Sequence, residues 1–256
     1  MIVGREKPYL VRYHSYSLDI RNYRRYLRSR RNYYIAKRIF DIVFSALVIV
    51  FILSWLIPVI ALCVKLSSRG PVFFVQKRVG YLGKTFHCLK FRTMRVNALA
   101  DKLAARENDS RITRIGRFLR TTNLDELPQF FNVLMGDMSI VGPRPHMHAD
   151  CHKFSRYVEN YKFRNLIKPG ITGLAQVKGY RGPANTFEDI FHRFQYDAFY
   201  VRNANFGLDI RIIRKTFAQT IYFIIGKVVG RDDLQEVVQK KKIYRRFAFS
   251  IKQVLN

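Results

Sequence analysis

The sequence predicts a helix-rich α/β fold: a compact cytosolic unit seated on a re-entering or crossing membrane helix and on amphipathic helices at the interface. Three observations predict it. Residues 42–64, IVFSALVIVFILSWLIPVIALCV, form one long apolar run between strongly basic flanks. Two strand-like segments punctuated by glycines follow it. Beyond them, apolar residues recur at helical spacing in segments whose other faces are basic.

Taken in order, residues 1–35 are rich in Arg and Tyr and show no helical or strand period. Such a segment suits the membrane surface, with its tyrosines at headgroup level. At about 1.5 Å per residue the apolar run is roughly 34 Å long, enough to cross a hydrocarbon core of about 30 Å. Its flanks complicate a simple crossing. Arg24, Arg25, Arg28, Arg30, Arg31, Lys37 and Arg38 precede it, Lys65, Arg69, Lys77, Arg78, Lys84 and Lys90 follow, and no acid lies between Asp41 and Asp101. Both ends therefore compete for the cytoplasmic face. Pro58 removes the amide that would bond the Ser54 carbonyl, so a kink is expected there, with the Ser54 hydroxyl serving the freed backbone. A helix that dips in and returns and a tilted single pass both satisfy these residues. Asp41, three and four residues from Arg38 and Lys37, is placed to be neutralised by them. The run starts too far in, is too long and lacks the small-residue cleavage site of a signal peptide.

After the run, Arg69-Gly70-Pro71 reads as a turn and Val72–Val75 as a short strand. Gly80 and Gly83 punctuate a hairpin leading to a strand at Thr85–Leu89, and residues 96–107 read as helical. In RITRIGRFLR, residues 111–120, Arg111, Arg114, Arg117 and Arg120 recur every third residue, with Ile112, Ile115, Phe118 and Leu119 on another face. This is an amphipathic basic helix whose arginines have no acidic neighbour and suit lipid headgroups or phosphate. Residues 137–145 and 168–183 carry Gly-Pro loop signals, and helices are expected at 186–203 and 209–227, the second apolar enough to lie on a bilayer. The tail is basic and amphipathic. Repeats and domain linkers are absent, which divides the chain into a basic segment at 1–37, a membrane helix at 38–66, one unit at 67–228 and a tail at 229–256.

A chain of 256 residues holds one moderate domain beside its membrane element, and a formal charge of +28 calls for an anionic partner: nucleic acid, anionic membrane lipids or a phosphorylated substrate. Cys63, Cys88 and Cys151 are odd in number and widely spaced, as reduced thiols of a cytosol-facing protein are. His146, His148 and His152 cluster, but no cysteine or acid completes a metal-ligand spacing, so they read as surface or loop histidines.

Acids are scarce here, which singles out Asp125 and Glu126 in TTNLDELPQFFNVLMGD. Leu127, Phe130, Phe131 and Leu134 fall at i, i+3, i+4 and i+7, a buried helical stripe, with Pro128 in the first turn. That places both acids at a helix N-terminus, beside unpaired amides that favour phosphate as well as carboxylates. Asp125 is read either as an N-cap or, with Glu126, as one half of a division of labour in which one carboxylate attacks phosphorus and the other holds a divalent metal.

At this pair the chain resembles the bacterial sugar transferases, the monotopic phosphoglycosyl transferases that act on polyprenol phosphate. The matching blocks are KRIFDIVFS, GPVFFVQKRVG, FHCLKFRTM, DSRITRIGRFLRTTNLDELPQFFNVLMGDMSIVGPRP, KPGITGLAQVKGYRG and the YDAFYVRNANFGLDIRI stretch, in collinear order over residues 37–217. The resemblance implies a re-entrant membrane helix over 38–66 at the cytoplasmic face of the bacterial inner membrane. It implies transfer of a sugar-1-phosphate from a UDP-sugar to undecaprenyl phosphate, releasing UMP, as the start of exopolysaccharide or other surface-glycan synthesis. Carried onto this chain, Asp125 is the nucleophile, Glu126 a Mg²⁺ ligand, and Arg144 of GPRP a holder of substrate phosphate. Arg78, Lys90, Arg92 and Arg111 lie in matching blocks and are further substrate-binding candidates. Two departures stand out: the chain carries the catalytic unit without the additional helices and domain of larger members, and GYRGPANT has proline where relatives often carry an acid. PRPHMHADC leans toward exopolysaccharide enzymes using UDP-glucose or UDP-galactose. A homo-oligomer is compatible with this reading. A nucleic-acid binder would explain the charge but neither the apolar run nor the acidic pair, and a non-catalytic membrane anchor would leave GPRP and the Gly-Pro loops without purpose.

Overall fold

The computed structural model describes residues 29–96, 109–182, 184 and 186–228. The expectations for the first 28 residues, for the helix past Val96 and for the tail from 229 lie outside the described residues.

The apolar run is built as α1 (Arg31–Val48), a π turn (Ile49–Leu53) and α2 (Ser54–Ser67). Together, Arg31–Ser67 is long and apolar enough to cross a membrane. Pro58 sits inside α2, and the irregularity lies ahead of it, in the π turn. The Ser54 hydroxyl donates to the Val50 carbonyl at 2.6 Å and the Trp55 ring N–H to the Phe51 carbonyl at 3.0 Å. The Ser54 hydroxyl thus serves the backbone, but at Val50 in the π turn and not at the break expected from Pro58. Val50, Phe51 and Trp55 are exposed around this turn.

Both ends of the run are fastened to the rest of the protein. Arg38 donates to the carbonyls of Val133 and Leu134 at 2.6 and 2.9 Å. Arg92 gathers the other end, donating to the carbonyls of Ser68 and Arg69 at 2.8 and 3.0 Å and to that of Pro71. Asp41 is buried and feels the charge of Lys37, but its hydrogen bond comes from elsewhere: its carboxylate accepts the Ile140 amide at 3.1 Å. Lys37 instead pairs with Asp209 at 2.9 Å, beside the Tyr33 and Tyr200 hydroxyls, which also donate to Asp209. Sequence spacing pairs neighbours on one helix, and the tertiary fold offers these cations better acceptors.

Strands β1 (Phe73–Val79) and β2 (Thr85–Phe91) form the expected antiparallel hairpin, in register from Phe73 opposite Phe91 to Val79 opposite Thr85. Helix α3 (Arg114–Thr122) starts three residues later than the arginine repeat suggests, because the Thr113 hydroxyl accepts the Gly116 amide and caps it. Arg111 is thereby left in the preceding loop, gripped by Asp109 at 2.6 Å, an acidic neighbour that the segment was expected to lack. Helix α4 (Gln129–Met135) buries Phe130, Val133, Gln129 and Asn132, so its deepest face is rotated from the anticipated stripe, in which Leu127, Phe131 and Leu134 are only part-buried. Asn132, fully buried, accepts the Leu89 amide at 2.9 Å and donates to the His87 carbonyl at 2.7 Å, tying α4 to β2.

Beyond α4 the expected loops contain a small parallel sheet, β3 (Ser139–Val141) beside β4 (Gly170–Thr172). Three-residue strands broken by Gly and Pro carry no readable alternation. Helices α5 (His148–Ser155), α6 (Leu174–Val177), α7 (Phe187–Asn203) and α8 (Phe206–Val228) complete the described fold. Thr186 caps α7 by accepting the Asp189 amide. The main core joins Leu53 of the apolar run, Phe86 of β2, Val133 and Met138 around α4, Val141 of β3, Tyr200 and Val201 of α7 and Ile212 of α8. A second cluster packs Ile60 and Val64 of α2 on Phe91 and Leu119. Phe217 and Tyr222 of α8 are exposed.

The three cysteines are free. His148 and His152 are exposed, but His146 is buried between Phe154 and Tyr161, with the Tyr161 hydroxyl 2.8 Å from its Nδ1. Burial first, then Arg164, Arg193, Arg78 and Arg144, pushes its pKa well below the ordinary imidazole value and keeps it neutral. The surface reading fails for His146 because aromatic neighbours from α5 and the 161–166 turn fold over it.

Candidate active site

The acidic pair sits at a corner. Asn123 ends α3 in the left-handed conformation (φ 62°), which Asn tolerates, and a tight 3₁₀ turn at Leu124–Glu126 leads into α4. Asp125 is consequently one turn ahead of α4 and accepts none of its amides as a cap; Pro128 occupies that position. Both acids are buried, at 8 and 5 % exposure.

Glu126 is wrapped by cations. Its Oε1 accepts from Lys90 Nζ at 2.8 Å and Arg144 Nη2 at 2.6 Å, its Oε2 from Arg144 Nη1 at 3.1 Å and Arg181 Nη2 at 3.2 Å. Arg144 thus holds both oxygens with its planar fork. Burial alone would raise the Glu126 pKa, but Arg144, then Lys90 and Arg181, hold it well below the usual carboxylate range. Asp125 is treated differently. Among the described residues no hydrogen bond reaches its carboxylate, and burial pushes its pKa up to about 6, against the pull of Lys90 and with the push of Glu126. Side by side stand one carboxylate fixed in its charged form and one left without a hydrogen bond and poised near neutrality.

The arginines are themselves positioned. The Arg144 carbonyl accepts from Arg164 Nη2 at 2.7 Å, and Arg164 is anchored by a fully buried ion pair with Asp197 at 2.7 Å. Gly142 and Gly170 allow the GPRP and KPGITG loops to interlock: a Cβ on Gly142 would stand 2.4 Å from the Lys168 carbonyl and one on Gly170 2.0 Å from the Gly142 nitrogen. Arg193 donates to the Gly182 carbonyl, holding the segment that carries Arg181.

Of the residues singled out from sequence, Asp125, Glu126, Lys90 and Arg144 meet at one point. Arg78 stands beside them, donating to Gln76 and to the Pro145 carbonyl at 2.9 Å and feeling the charges of Arg144 and Glu126. Arg92 and Arg111 are elsewhere, the first capping the end of α2 and the second on Asp109. Sequence reasoning missed Arg181, although it lies in the GYRG block, and missed the Arg164–Asp197 support, since nothing local pairs residues so far apart in the chain.

The donor chemistry can be tested against a divalent cation. The described residues contain no cluster of three His, Cys, Asp or Glu side chains. Mg²⁺ characteristically uses one or two carboxylates together with substrate phosphates and water, and adjacent Asp125 and Glu126 fit that mode. Since both Glu126 oxygens already accept from two donors each, a cation there displaces one of them. Arg181 has the longest contact and is the most exposed of the three partners.

Residues 32–222 match the family described as bacterial sugar transferase. The chain belongs to that family. It is 48 % identical over 178 residues to a Klebsiella pneumoniae UDP-glucose:undecaprenyl-phosphate glucose-1-phosphate transferase, covering 69 % of this chain and 38 % of the relative. An exopolysaccharide production protein of Rhizobium leguminosarum is 44 % identical, covering 70 % of this chain and 92 % of the relative. An Aeromonas hydrophila UDP-N-acetylgalactosamine-undecaprenyl-phosphate N-acetylgalactosaminephosphotransferase is 40 % identical, covering 72 % of this chain and 43 % of the relative. The chain therefore spans well under half the length of the first of these relatives. Every residue of the acidic corner, Lys90, Asp125, Glu126, Arg144 and Arg181, falls within the family match.

Proposed function

We propose that this sugar transferase moves a sugar-1-phosphate from a UDP-sugar to undecaprenyl phosphate, yielding undecaprenyl-diphosphate-sugar and UMP, and so starts exopolysaccharide or related surface-glycan synthesis. The carrying observation is the Asp125–Glu126 contrast: a buried carboxylate without hydrogen bonds beside one clamped by Lys90, Arg144 and Arg181. An Asp125 oxygen attacks the phosphorus bearing the sugar, the bond to the bridging oxygen breaks, and UMP leaves with that oxygen and its electron pair. An oxygen of the lipid phosphate then attacks the same phosphorus, the aspartyl oxygen–phosphorus bond breaks, and Asp125 returns as a carboxylate. Neither step needs a proton from the enzyme.

Two anionic substrates must meet here, so cations are required. Arg144, Lys90 and Arg181 are available to the diphosphate oxygens as they loosen from Glu126, with Arg78 behind them. Glu126, assisted by Asp125, would hold Mg²⁺, which when bound supplies charge neutralisation of the transferring phosphate. UDP-glucose or UDP-galactose is the favoured donor; a glucose-transferring relative supports the first, and the N-acetylgalactosamine relative marks the alternative.

For the membrane, the proposed topology is a re-entrant helix at the cytoplasmic face of the inner membrane. A straight helix of 37 residues would be about 55 Å long, yet both its ends are fastened to one compact unit, by Arg38 and by Arg92, while its apolar apex is exposed. Cysteine tags at Ser29 and Ser67 are expected to label from one side; labelling from opposite sides would establish a full crossing. The activity is tested with purified protein, undecaprenyl phosphate and a panel of UDP-sugars, scored for UMP. Release should require lipid phosphate and vanish in Asp125→Asn; release by that variant at the wild-type rate would refute the reading.

A further inference from the structure

A second site lies at the opposite end of α4 from the acidic pair. There a cavity of about 590 Å³ opens at the start of the membrane helix, with apolar walls that include Ile35, Ile39, Val141, Leu166 and Ile167. Its volume falls in the roughly 300–1,000 Å³ range of ligand sites. Its charged lining is Arg31, Lys37, Arg38, Lys168 and one carboxylate, Asp41; Lys37 is held by Asp209 and Asp41 accepts the Ile140 amide, which leaves Arg38 and Lys168 as the cations facing an occupant.

These two cations converge. A side-chain carbon built on Gly136 would stand 3.5 Å from Arg38 Nη2 and 3.7 Å from Lys168 Nζ. Arg38 spends donors on the Val133 and Leu134 carbonyls and has others left over. Lys168 Nζ makes no hydrogen bond among the described residues; partial burial, then Arg38, depress its pKa, against the pull of Asp41 and Asp137. Like charges brought together at the rim of an apolar cavity are stabilised by an anion carrying an apolar chain. The location fits: Arg31 and Arg38 lie at the basic start of the apolar helix, where cations favour lipid headgroups.

We infer that this cavity binds one anionic phospholipid of the bilayer, its headgroup phosphate between Arg38 and Lys168 and part of an acyl chain along the apolar wall. The occupant is distinct from the lipid substrate. From Glu126 to Gly136 the chain advances ten residues, roughly 15 Å at helical rise, too far for a phosphate held here to reach Asp125. Such a lipid would fasten α1 to α4 and to the segment around Lys168, linking the membrane helix to the unit that carries the acidic corner.

The test uses the full chain in nanodiscs of phosphatidylcholine containing equal small fractions of phosphatidylglycerol and undecaprenyl phosphate, with retained lipid weighed by native mass spectrometry. Wild type should keep one phosphatidylglycerol per protein. Lys168→Gln should lower that retention about tenfold, as expected for loss of one ionic contact, and Lys168→Arg should restore it. Leu166→Trp, which fills the cavity and keeps the charges, should lower it comparably; should that variant misfold, the Lys168 pair decides alone. Equal retention by wild type and Lys168→Gln, or no retained lipid in wild type, would overturn the inference. So would one-for-one replacement of phosphatidylglycerol by undecaprenyl phosphate, which would assign the cavity to the acceptor. Retention is read without turnover, so failure of the proposed transferase reaction leaves this result interpretable.

Discussion

Replacing Asp125 by Asn should abolish sugar-phosphate transfer and at the same time make the protein more stable. The Asp125 carboxyl is lifted from 3.8 to about 6 in the folded protein, chiefly by burial. A carboxylate with a raised folded pKa binds its proton more tightly in the native state, so it costs stability as pH rises through that window. At about 1.4 kcal/mol per pH unit, a displacement of about two units amounts to roughly 3 kcal/mol at pH 7.5. Asn keeps the shape and removes the charge, so up to that amount should be regained, or about 6–12 °C in melting temperature at this size. The gain should halve near pH 5 and vanish below about pH 4, where unfolded and folded carboxyls are both protonated. Thermal unfolding of both proteins in the same micelles at pH 7.5, 5 and 4 measures it. A variant that melts with or below wild type at pH 7.5, or whose advantage grows as pH falls, would refute the assignment of Asp125 as a strained buried carboxylate.

Glu126→Gln should act in the opposite sense: its depressed pKa contributes stability above about pH 4.5 that is lost in acid, so the variant should melt lower at pH 7 by an amount equivalent to about 3 kcal/mol, and the deficit should shrink below pH 4. UMP release by wild type should fall as pH drops below about 6, because only the ionised Asp125 can attack; a flat rate between pH 7.5 and 5 would contradict that. Asn132→Ala removes a buried side chain bonded to both the Leu89 amide and the His87 carbonyl and should cost about 2–3 kcal/mol in a denaturation experiment, with faster hydrogen exchange along β2.

What could be read in the sequence was what local chemistry controls. The hairpin was marked by Gly80 and Gly83, the long helices by their periodicity, and the acidic corner by Pro128 and the scarcity of acids around Asp125. Where a partner lies far along the chain, the sequence was silent. Nothing near Lys37 announces Asp209, and nothing near Arg144 announces Arg164 and Asp197. Arg92 was a substrate-binding candidate because it lies in a matching block, but the end of α2 presents carbonyls that claim it first. The rotated face of α4 has the same origin: the apolar stripe takes no account of the polar Asn132, which the Leu89 amide and the His87 carbonyl of β2 draw into the core.

The most direct test concerns the bond to Asp125. Wild-type protein incubated with UDP-glucose or UDP-galactose in the absence of undecaprenyl phosphate, quenched and analysed by intact-mass and peptide mass spectrometry, should carry one hexose-phosphate on the peptide containing Asp125, discharged when lipid phosphate is added. A turnover-competent preparation that passes the sugar-phosphate to lipid with no mass added to that peptide, or with the mass on another residue, would contradict the account.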